Sequence, residues 1–104
     1  MNNYQEITVQ EAKKLIDSNE AVIIDVREQD EYDEIHISEA TLHCLSEFNP
    51  NDVKHENKAV IVQCRSGGRS QTACFALINA GLTQDIYNLT GGILAWESAG
   101  LPVN

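Results

Sequence analysis

Two short runs of apolar residues dominate the hydropathy pattern of the chain. Ala21–Val26 and Ala59–Gln63 are nearly continuous in valine and isoleucine, which is typical of strands buried on both faces of a parallel sheet. Residues 85–89 indicate a third strand, and residues 40–42 are a weaker candidate. The pattern therefore predicts several short, buried strands separated by longer segments.

Helical segments are predicted between and after these strands. The first begins at Thr8, whose spacing to Glu11 matches a capping box. The others are an acidic segment at 28–34, residues 70–80 and residues 93–99. Residues 46–58 are the least decided part and could hold a short helix within a long connection. Strands that alternate with helices predict an α/β fold, with a parallel sheet covered on both faces.

Length and charge narrow the possible functions. We expect residues 1–104 to form a single domain, because this length suits one hydrophobic core. Sixteen acidic residues against seven Lys and Arg give a net charge of −9, which argues against nucleic acid and membrane surfaces as partners. No apolar run reaches the roughly 20 residues of a membrane span, and the N-terminus lacks a secretory pattern. We therefore expect a cytoplasmic protein.

The three cysteines, Cys44, Cys64 and Cys74, show neither a Cys-x-x-Cys spacing nor a histidine at zinc spacing. An odd number of unpaired thiols favours a reducing compartment, and we expect neither a metal nor an organic cofactor. Cys74 lies in an apolar helical segment and is expected to pack in the core. For Cys44 the alternatives are core packing, a surface position or a resolving thiol.

The segment that follows the second apolar run concentrates candidate chemistry. Its sequence, Cys64-Arg-Ser-Gly-Gly-Arg-Ser70, is too polar to continue the strand, and ligands of parallel sheets bind beyond the carboxyl ends of the strands. The two glycines allow backbone N–H groups to turn inward as an anion-binding nest. The helix N-terminus and the two arginines add positive charge. These surroundings favour the nucleophilic thiolate form of Cys64.

Two kinds of chemistry use a cysteine held in this way, namely sulfur transfer and phosphate ester hydrolysis. A phosphatase of the Cys-x5-Arg type needs a ring that is wide enough for a phosphoryl group. Cys64 and Arg69 have the spacing Cys-x4-Arg, which is one residue shorter, and position 70 is Ser. Because a smaller ring suits a single sulfur atom, the spacing favours sulfur transfer.

Four motifs resemble those of single-domain rhodaneses, which are thiosulfate or persulfide sulfurtransferases. They are Ile23–Glu28, His36-Ile37 with Ala40, the loop 64–70, and Gly91–Trp96 with residues 100–103. The resemblance implies a small three-layer α/β/α domain with a central, mainly parallel sheet of about five strands. The sequence departs from the family pattern at Ile35, Ser38 and Glu39, where the family usually has Gly, Pro and Gly; this affects the local turn geometry.

The resemblance also implies the site and its mechanism. Cys64 is the implied nucleophile, and the amides of residues 65–69 are expected to surround its sulfur. The thiolate takes the outer sulfur of a donor such as thiosulfate, becomes a persulfide, and passes the sulfur to cyanide or a thiol. Donor and acceptor would both reach a shallow pocket at the loop, and Arg69→Ala is expected to weaken donor use. The substrate-binding loop consists of Arg65, Ser66, Gly67, Gly68, Arg69 and Ser70.

Several residues outside the loop are candidates for a catalytic or substrate-positioning role. Asp25 and Arg27 could position the substrate, whereas the resemblance suggests a structural ion pair or hydrogen bonds that hold nearby loops. His36 could be a general base, but sulfur transfer needs none once the thiolate has formed. Trp96 is expected to pack in the core.

A carrier or interaction module is the alternative function. In that case the Cys64 persulfide is handed to a partner protein, with little turnover of small molecules. Residues 1–57 hold fourteen acidic and four basic residues, and such an acidic surface would suit a basic partner. Activity with thiosulfate and cyanide alone, compared with activity when a partner is added, separates the two.

Overall fold

The computed structural model describes residues 3–104 and contains a five-stranded sheet between two layers of helices. The strand order is β1-β5-β4-β2-β3, and every neighbouring pair is parallel. The predicted three-layer α/β fold is confirmed. The strands are β1 (Tyr4–Ile7), β2 (Ala21–Asp25), β3 (Thr41–Leu42), β4 (Ala59–Gln63) and β5 (Ile86–Leu89), and the helices are α1 (Val9–Asp17), α2 (Gln29–Glu34), α3 (Gly68–Asn79) and α4 (Gly92–Ser98).

The apolar runs of the sequence form the centre of the sheet, with hydrophobic clusters on both faces. Ile23 and Ile61 belong to the cluster on the side of α1 and α4, whereas Val60 and Val62 belong to the cluster on the side of α3. This alternation follows from the two-residue period of a strand. Because both faces are covered, β2 and β4 are apolar along nearly their whole length.

Two details differ from the sequence-based prediction, and the undecided segment 46–58 is now defined. Strand β1 was not predicted, because it is an edge strand in which Ile7 alone is buried and Glu6 is exposed. Helix α3 begins at Gly68, two residues before the predicted start at Ser70. Residues 46–58 contain short 3-10 turns, at Leu45–Glu47 and Pro50–Asp52, within a long connection.

The sheet brings Cys64 to a central position. Strand β4 lies between β5 and β2, so the residue that follows its carboxyl end is flanked on both sides by neighbouring strands. Helix α3 begins only four residues later.

In residues 3–104 no helix is long and apolar enough to cross a bilayer.

Candidate active site

The loop after β4 closes around the sulfur of Cys64. Cys64 is only 1% exposed, and its Sγ accepts a hydrogen bond from the Gly67 N–H at 3.1 Å. The Ser70 Oγ lies 3.4 Å from the same sulfur. The shallow pocket expected from the sequence is therefore not what the structure shows, because the loop covers the thiol. Of the expected amides of residues 65–69, those of Ser66 and Gly67 act on the sulfur, together with the amide of Ser70.

Gly67 gives the loop its shape. Its φ of +121° lies in a region that other residues rarely adopt, and it precedes α3 as the N-cap residue. The Gly67 carbonyl accepts a hydrogen bond from Ser70 Oγ at 3.0 Å. This conformation points the Gly67 N–H at the sulfur, so a side chain at this position would strain the loop.

The surroundings of Cys64 favour its charged form. Burial by itself raises the pKa of the thiol, but hydrogen bonds from the Ser70 side chain and from the amides of Ser70, Gly67 and Ser66 outweigh burial and lower the pKa below its ordinary value. The amide donors among them are fixed by the fold and do not have to reorient when charge develops. The loop is therefore suited to hold a thiolate or a persulfide anion.

The two loop arginines have different environments. Arg69 makes a bidentate ion pair with Glu31 on α2, with N–O distances of 2.7 and 2.9 Å. The Arg69 hydrogen bonds lower the pKa of Glu31 to about 2. Arg65 is exposed and makes no salt bridge within residues 3–104. An anionic ligand at the loop would therefore find Arg65 available, whereas Arg69 is already paired.

The first turn of helix α4 donates hydrogen bonds to the backbone of the loop. The N–H of Ile93 donates to the Cys64 carbonyl at 2.9 Å, and the N–H of Leu94 donates to the Arg65 carbonyl at 3.3 Å. Gly92 has a φ of +56°, and a Cβ at this position would lie 2.4 Å from the Cys64 carbonyl oxygen. The close approach of the helix to the loop therefore requires glycine at position 92.

Two polar residues that the sequence analysis did not identify join the site. Asn88 on β5 is 2% exposed, and its Oδ1 accepts a hydrogen bond from Ser70 Oγ. Its Nδ2 donates to the Glu6 carboxylate on β1 at 3.0 Å and to the Gly67 carbonyl at 3.3 Å. The signal in the sequence was a polar residue within an apolar strand, but its partner became evident only from the register of β1 and β5.

Asp25 and Arg27 form a buried ion pair in the segment that connects β2 to α2. Their exposed fractions are 0% and 3%, and the Arg27 Nη2 lies 2.8 Å from Asp25 Oδ2. The same nitrogen donates to the Ile35 carbonyl at 2.7 Å. These contacts tie β2 to the chain that follows α2, which is a structural arrangement.

The other candidate residues have packing contacts. The His36 ring stacks on Tyr32 with centroids 3.8 Å apart, and its Nδ1 lies 2.8 Å from the Tyr32 carbonyl. Trp96 is fully buried and donates from Nε1 to the Pro102 carbonyl at 2.9 Å. Cys74 is buried in the cluster beneath α3. These residues stabilise the fold around the site.

Cys44 is half-buried and unpaired. Burial raises the pKa of its thiol, and the nearby carboxylates of Glu28 and Glu47 raise it further. A thiol with a raised pKa is a weak nucleophile at neutral pH. The raised pKa therefore argues against a resolving thiol at Cys44.

The departures from the family pattern do not strain the backbone. Ile35 is extended, with a φ of −160°, and neither Ser38 nor Glu39 has a positive φ. Ile37 forms an antiparallel bridge with Val103, which fixes this segment against the end of the chain. The glycines usual at these positions are therefore not needed for the turn that this protein makes.

Comparison with known proteins agrees with this geometry. The profile of the rhodanese-like domain family matches residues 8–99.

The chain belongs to the rhodanese-like domain family.

Individual relatives give the same result. The thiosulfate sulfurtransferase GlpE of Coxiella burnetii is 33% identical over 96 residues, which is 91% of this chain and 89% of that protein. The uncharacterized protein slr1261 of Synechocystis sp. is 37% identical over 91 residues, which is 86% of this chain and 50% of that protein. A crystal structure of a rhodanese-related protein from Thermoplasma volcanium has a TM-score of 0.82 at 27% identity, and the match covers 97% of this chain and 98% of that one.

The chain therefore spans half the length of the relative slr1261 and most of the length of GlpE. Family membership places the protein among proteins that contain a rhodanese-like domain.

Proposed function

We propose that this protein is a sulfurtransferase that carries sulfane sulfur as a persulfide on Cys64. The observation that supports this most directly is the set of inward-facing donors around the Cys64 sulfur, with the Gly67 N–H at 3.1 Å. These donors lower the pKa of a thiol that burial alone would keep neutral. The similarity to the GlpE thiosulfate sulfurtransferase supports thiosulfate as a donor.

The reaction has two steps. In the first, the Cys64 thiolate attacks the outer sulfur of thiosulfate, the S–S bond of the donor breaks, and sulfite leaves with the bonding electron pair. In the second, cyanide or an acceptor thiolate attacks the terminal sulfur of the persulfide, and Cys64 leaves as a thiolate. No net oxidation of the protein occurs, and the transfer is divided into two easier displacements.

The loop donors contribute to both steps. The N–H groups of the loop already point at the sulfur, and they stabilise the thiolate before attack and the persulfide anion after it. Because Cys64 is 1% exposed, we infer that the loop opens locally to admit the donor. Arg65 is the available cation for an anionic donor, and it lines a groove of about 260 Å³ beside the loop. The three unpaired cysteines suit a reducing environment such as the cytoplasm.

The test is thiocyanate formation from thiosulfate and cyanide. Cys64→Ser is expected to abolish this activity, because serine supplies neither the nucleophile nor the persulfide, while circular dichroism shows an unchanged fold. Cys74→Ala is the matched control, since it removes a buried thiol from the same cluster and should retain activity. Activity that persists in Cys64→Ser would contradict the proposal.

A second candidate is a persulfide carrier that acts on a partner protein. Two features favour it, namely the closed loop over Cys64 and the excess of acidic residues in positions 1–57. A partner that opens the loop would then be required for turnover. Persulfide that forms on Cys64 but is released to cyanide only slowly would favour the carrier over the enzyme.

A further inference from the structure

The hydroxyl of Ser70 has one proton and three acceptors within reach. Its Oγ lies 3.4 Å from Cys64 Sγ and 3.0 Å from the Gly67 carbonyl oxygen, and it hydrogen-bonds to Asn88 Oδ1. A hydroxyl donates one hydrogen bond at a time. A thiolate at Cys64 therefore competes with two oxygens for the Ser70 proton.

Glu6 determines which end of the Asn88 amide faces Ser70. A carboxylate only accepts hydrogen bonds, so the atom of Asn88 that faces it is Nδ2, at 3.0 Å from Oε2. The Gly67 carbonyl requires the same orientation, since it also accepts from Nδ2. The amide oxygen is consequently left facing Ser70. Glu6 and Asn88 are directly opposite in the register of β1 and β5.

We propose that Glu6 and Asn88 are positioning residues, which draw the Ser70 hydroxyl proton toward Asn88 Oδ1 and away from Cys64 Sγ. This inference rests on the proposed role of Cys64 as the nucleophile. A charged carboxylate bonded to Nδ2 polarises the amide and makes its oxygen a stronger acceptor. The Glu6 charge thereby restrains formation of the Cys64 thiolate.

Two other titratable groups act on Cys64 from the α3 side of the sheet. They are Cys74 and Arg69 on α3, the latter paired with Glu31 on α2. Burial keeps the Cys74 thiol neutral, with a pKa of about 12, and the Arg69 charge is constant. Neither Cys74 nor Arg69 is the partner of Asn88 in the hydrogen bonds described above, whereas Glu6 is.

The proposal makes a prediction about Glu6→Gln. The variant removes the charge at an exposed position and keeps an amide oxygen that can accept from Asn88 Nδ2. It thereby weakens the pull of Asn88 Oδ1 on the hydroxyl. The Ser70 hydroxyl then turns more readily to the sulfur, and the Cys64 thiolate forms at lower pH. The effect must pass through Ser70, so it should vanish when that hydroxyl is absent.

The experiment follows the ultraviolet absorbance of the thiolate as pH rises. Four proteins form a double-mutant cycle: the unaltered chain, Glu6→Gln, Ser70→Ala and the double variant. Each titration is corrected by subtracting the same protein with Cys64→Ser, so that tyrosines and the other thiols cancel. Glu20→Gln is the matched control, because it removes one charge just before the amino end of β2, whereas Cys64 lies at the carboxyl ends of the strands.

Glu6→Gln is expected to lower the titration midpoint of Cys64 by about half a unit to one unit. It should have no effect in the Ser70→Ala background, and Glu20→Gln should have none in either. An equal shift in both backgrounds would show a charge acting through space and would overturn the proposal, as would no shift at all. Since the midpoint is read without turnover, a failure of sulfur transfer would be recognised separately.

Discussion

Cys64 and Cys74 lie on the same side of the sheet and are both buried, but their thiols differ in chemical character. Burial raises the pKa of Cys74 to about 12. Burial acts on Cys64 in the same direction, but hydrogen bonds from Ser70 and Gly67 reverse its effect and lower the pKa. At the scale of the residue, the direction of the pKa shift of a buried thiol is thus decided by the donors next to the sulfur.

The sequence identified part of this residue-scale arrangement. A cysteine followed by two glycines and two arginines was sufficient to predict a loop with a backbone N–H turned toward the thiol, because these residues are adjacent in the chain. The role of Cys64 as nucleophile stays a prediction. Glu6 and Asn88 could not be predicted, since they are 82 positions apart and meet only through the pairing of β1 with β5. The pairing of Arg69 with Glu31 across 38 positions escaped prediction for the same reason.

Gly92→Ala tests the contact between α4 and the loop. A Cβ at position 92 would lie 2.4 Å from the Cys64 carbonyl oxygen, and the φ of +56° is also unfavourable for alanine. We expect a loss of about 2 to 4 kcal/mol in the free energy of unfolding, measured by urea denaturation. The displaced loop should also lose activity.

Gly100→Ala is the matched control for this variant. Gly100 also has a positive φ, of +72°, but no atom lies within 4 Å of the position of its Cβ. It should therefore cost only the conformational part, about 1 kcal/mol. Equal losses for the two variants would mean that the close approach at Gly92 carries no energetic weight.

At the scale of secondary structure, the Glu31–Arg69 ion pair joins α2 to the first turn of α3. Both side chains are about one-third exposed, at 29% and 37%. Water therefore weakens the pair, and its contribution to stability is about 1 kcal/mol. The link nevertheless holds the helix that supplies Ser70 against the acidic segment after β2.

The ion pair gives a prediction with a defined pH dependence. The Glu31 pKa falls from an ordinary 4.5 to about 2 on folding. The stabilisation is therefore complete above the pKa of the unfolded chain and is lost as pH falls toward about 2. Glu31→Gln should lower the free energy of unfolding by about 1 kcal/mol near neutral pH and by almost nothing near pH 2.

Urea denaturation at a series of pH values checks this prediction. Glu34→Gln is the matched control, because Glu34 ends the same helix and makes no salt bridge in residues 3–104. It should show a smaller, pH-independent change. A Glu31→Gln effect that stays constant down to the lowest pH would show that the ion pair is not its origin.

The elements themselves were predictable to different degrees. β2 and β4 were predicted because their valine and isoleucine runs are buried on both faces. β1 was missed because its residues Gln5 and Glu6 are exposed at the sheet edge. The predicted start of α3 at Ser70 is two residues too late. A glycine pair usually indicates a turn, whereas Gly68 in this protein begins the helix.

At the scale of the whole molecule, the parallel sheet gathers the site from distant parts of the chain. The carboxyl ends of β1, β4 and β5 supply Glu6, Cys64 and Asn88 to one region. The predicted α/β class and parallel sheet are confirmed, because they follow from alternating strand and helix patterns. The closure of the loop over the thiol could not be read from the sequence, since it depends on the packing of α3 and α4.

The charge of the molecule is divided unevenly. Residues 58–104, which contain the loop and the helices on either side of it, hold two acidic and three basic residues, while the remaining acidic residues lie earlier in the chain. Arg65 in the loop is exposed, and it shares a groove with Glu31, Glu34 and Glu97.

Intact-mass spectrometry after incubation with thiosulfate tests the central claim, namely that the closed loop holds a single transferable sulfur on Cys64. The unaltered protein should gain the mass of one sulfur atom and lose it again on addition of cyanide, while Cys64→Ser gains nothing. A protein that keeps its original mass, or a Cys64→Ser variant that gains the same increment, would contradict the account.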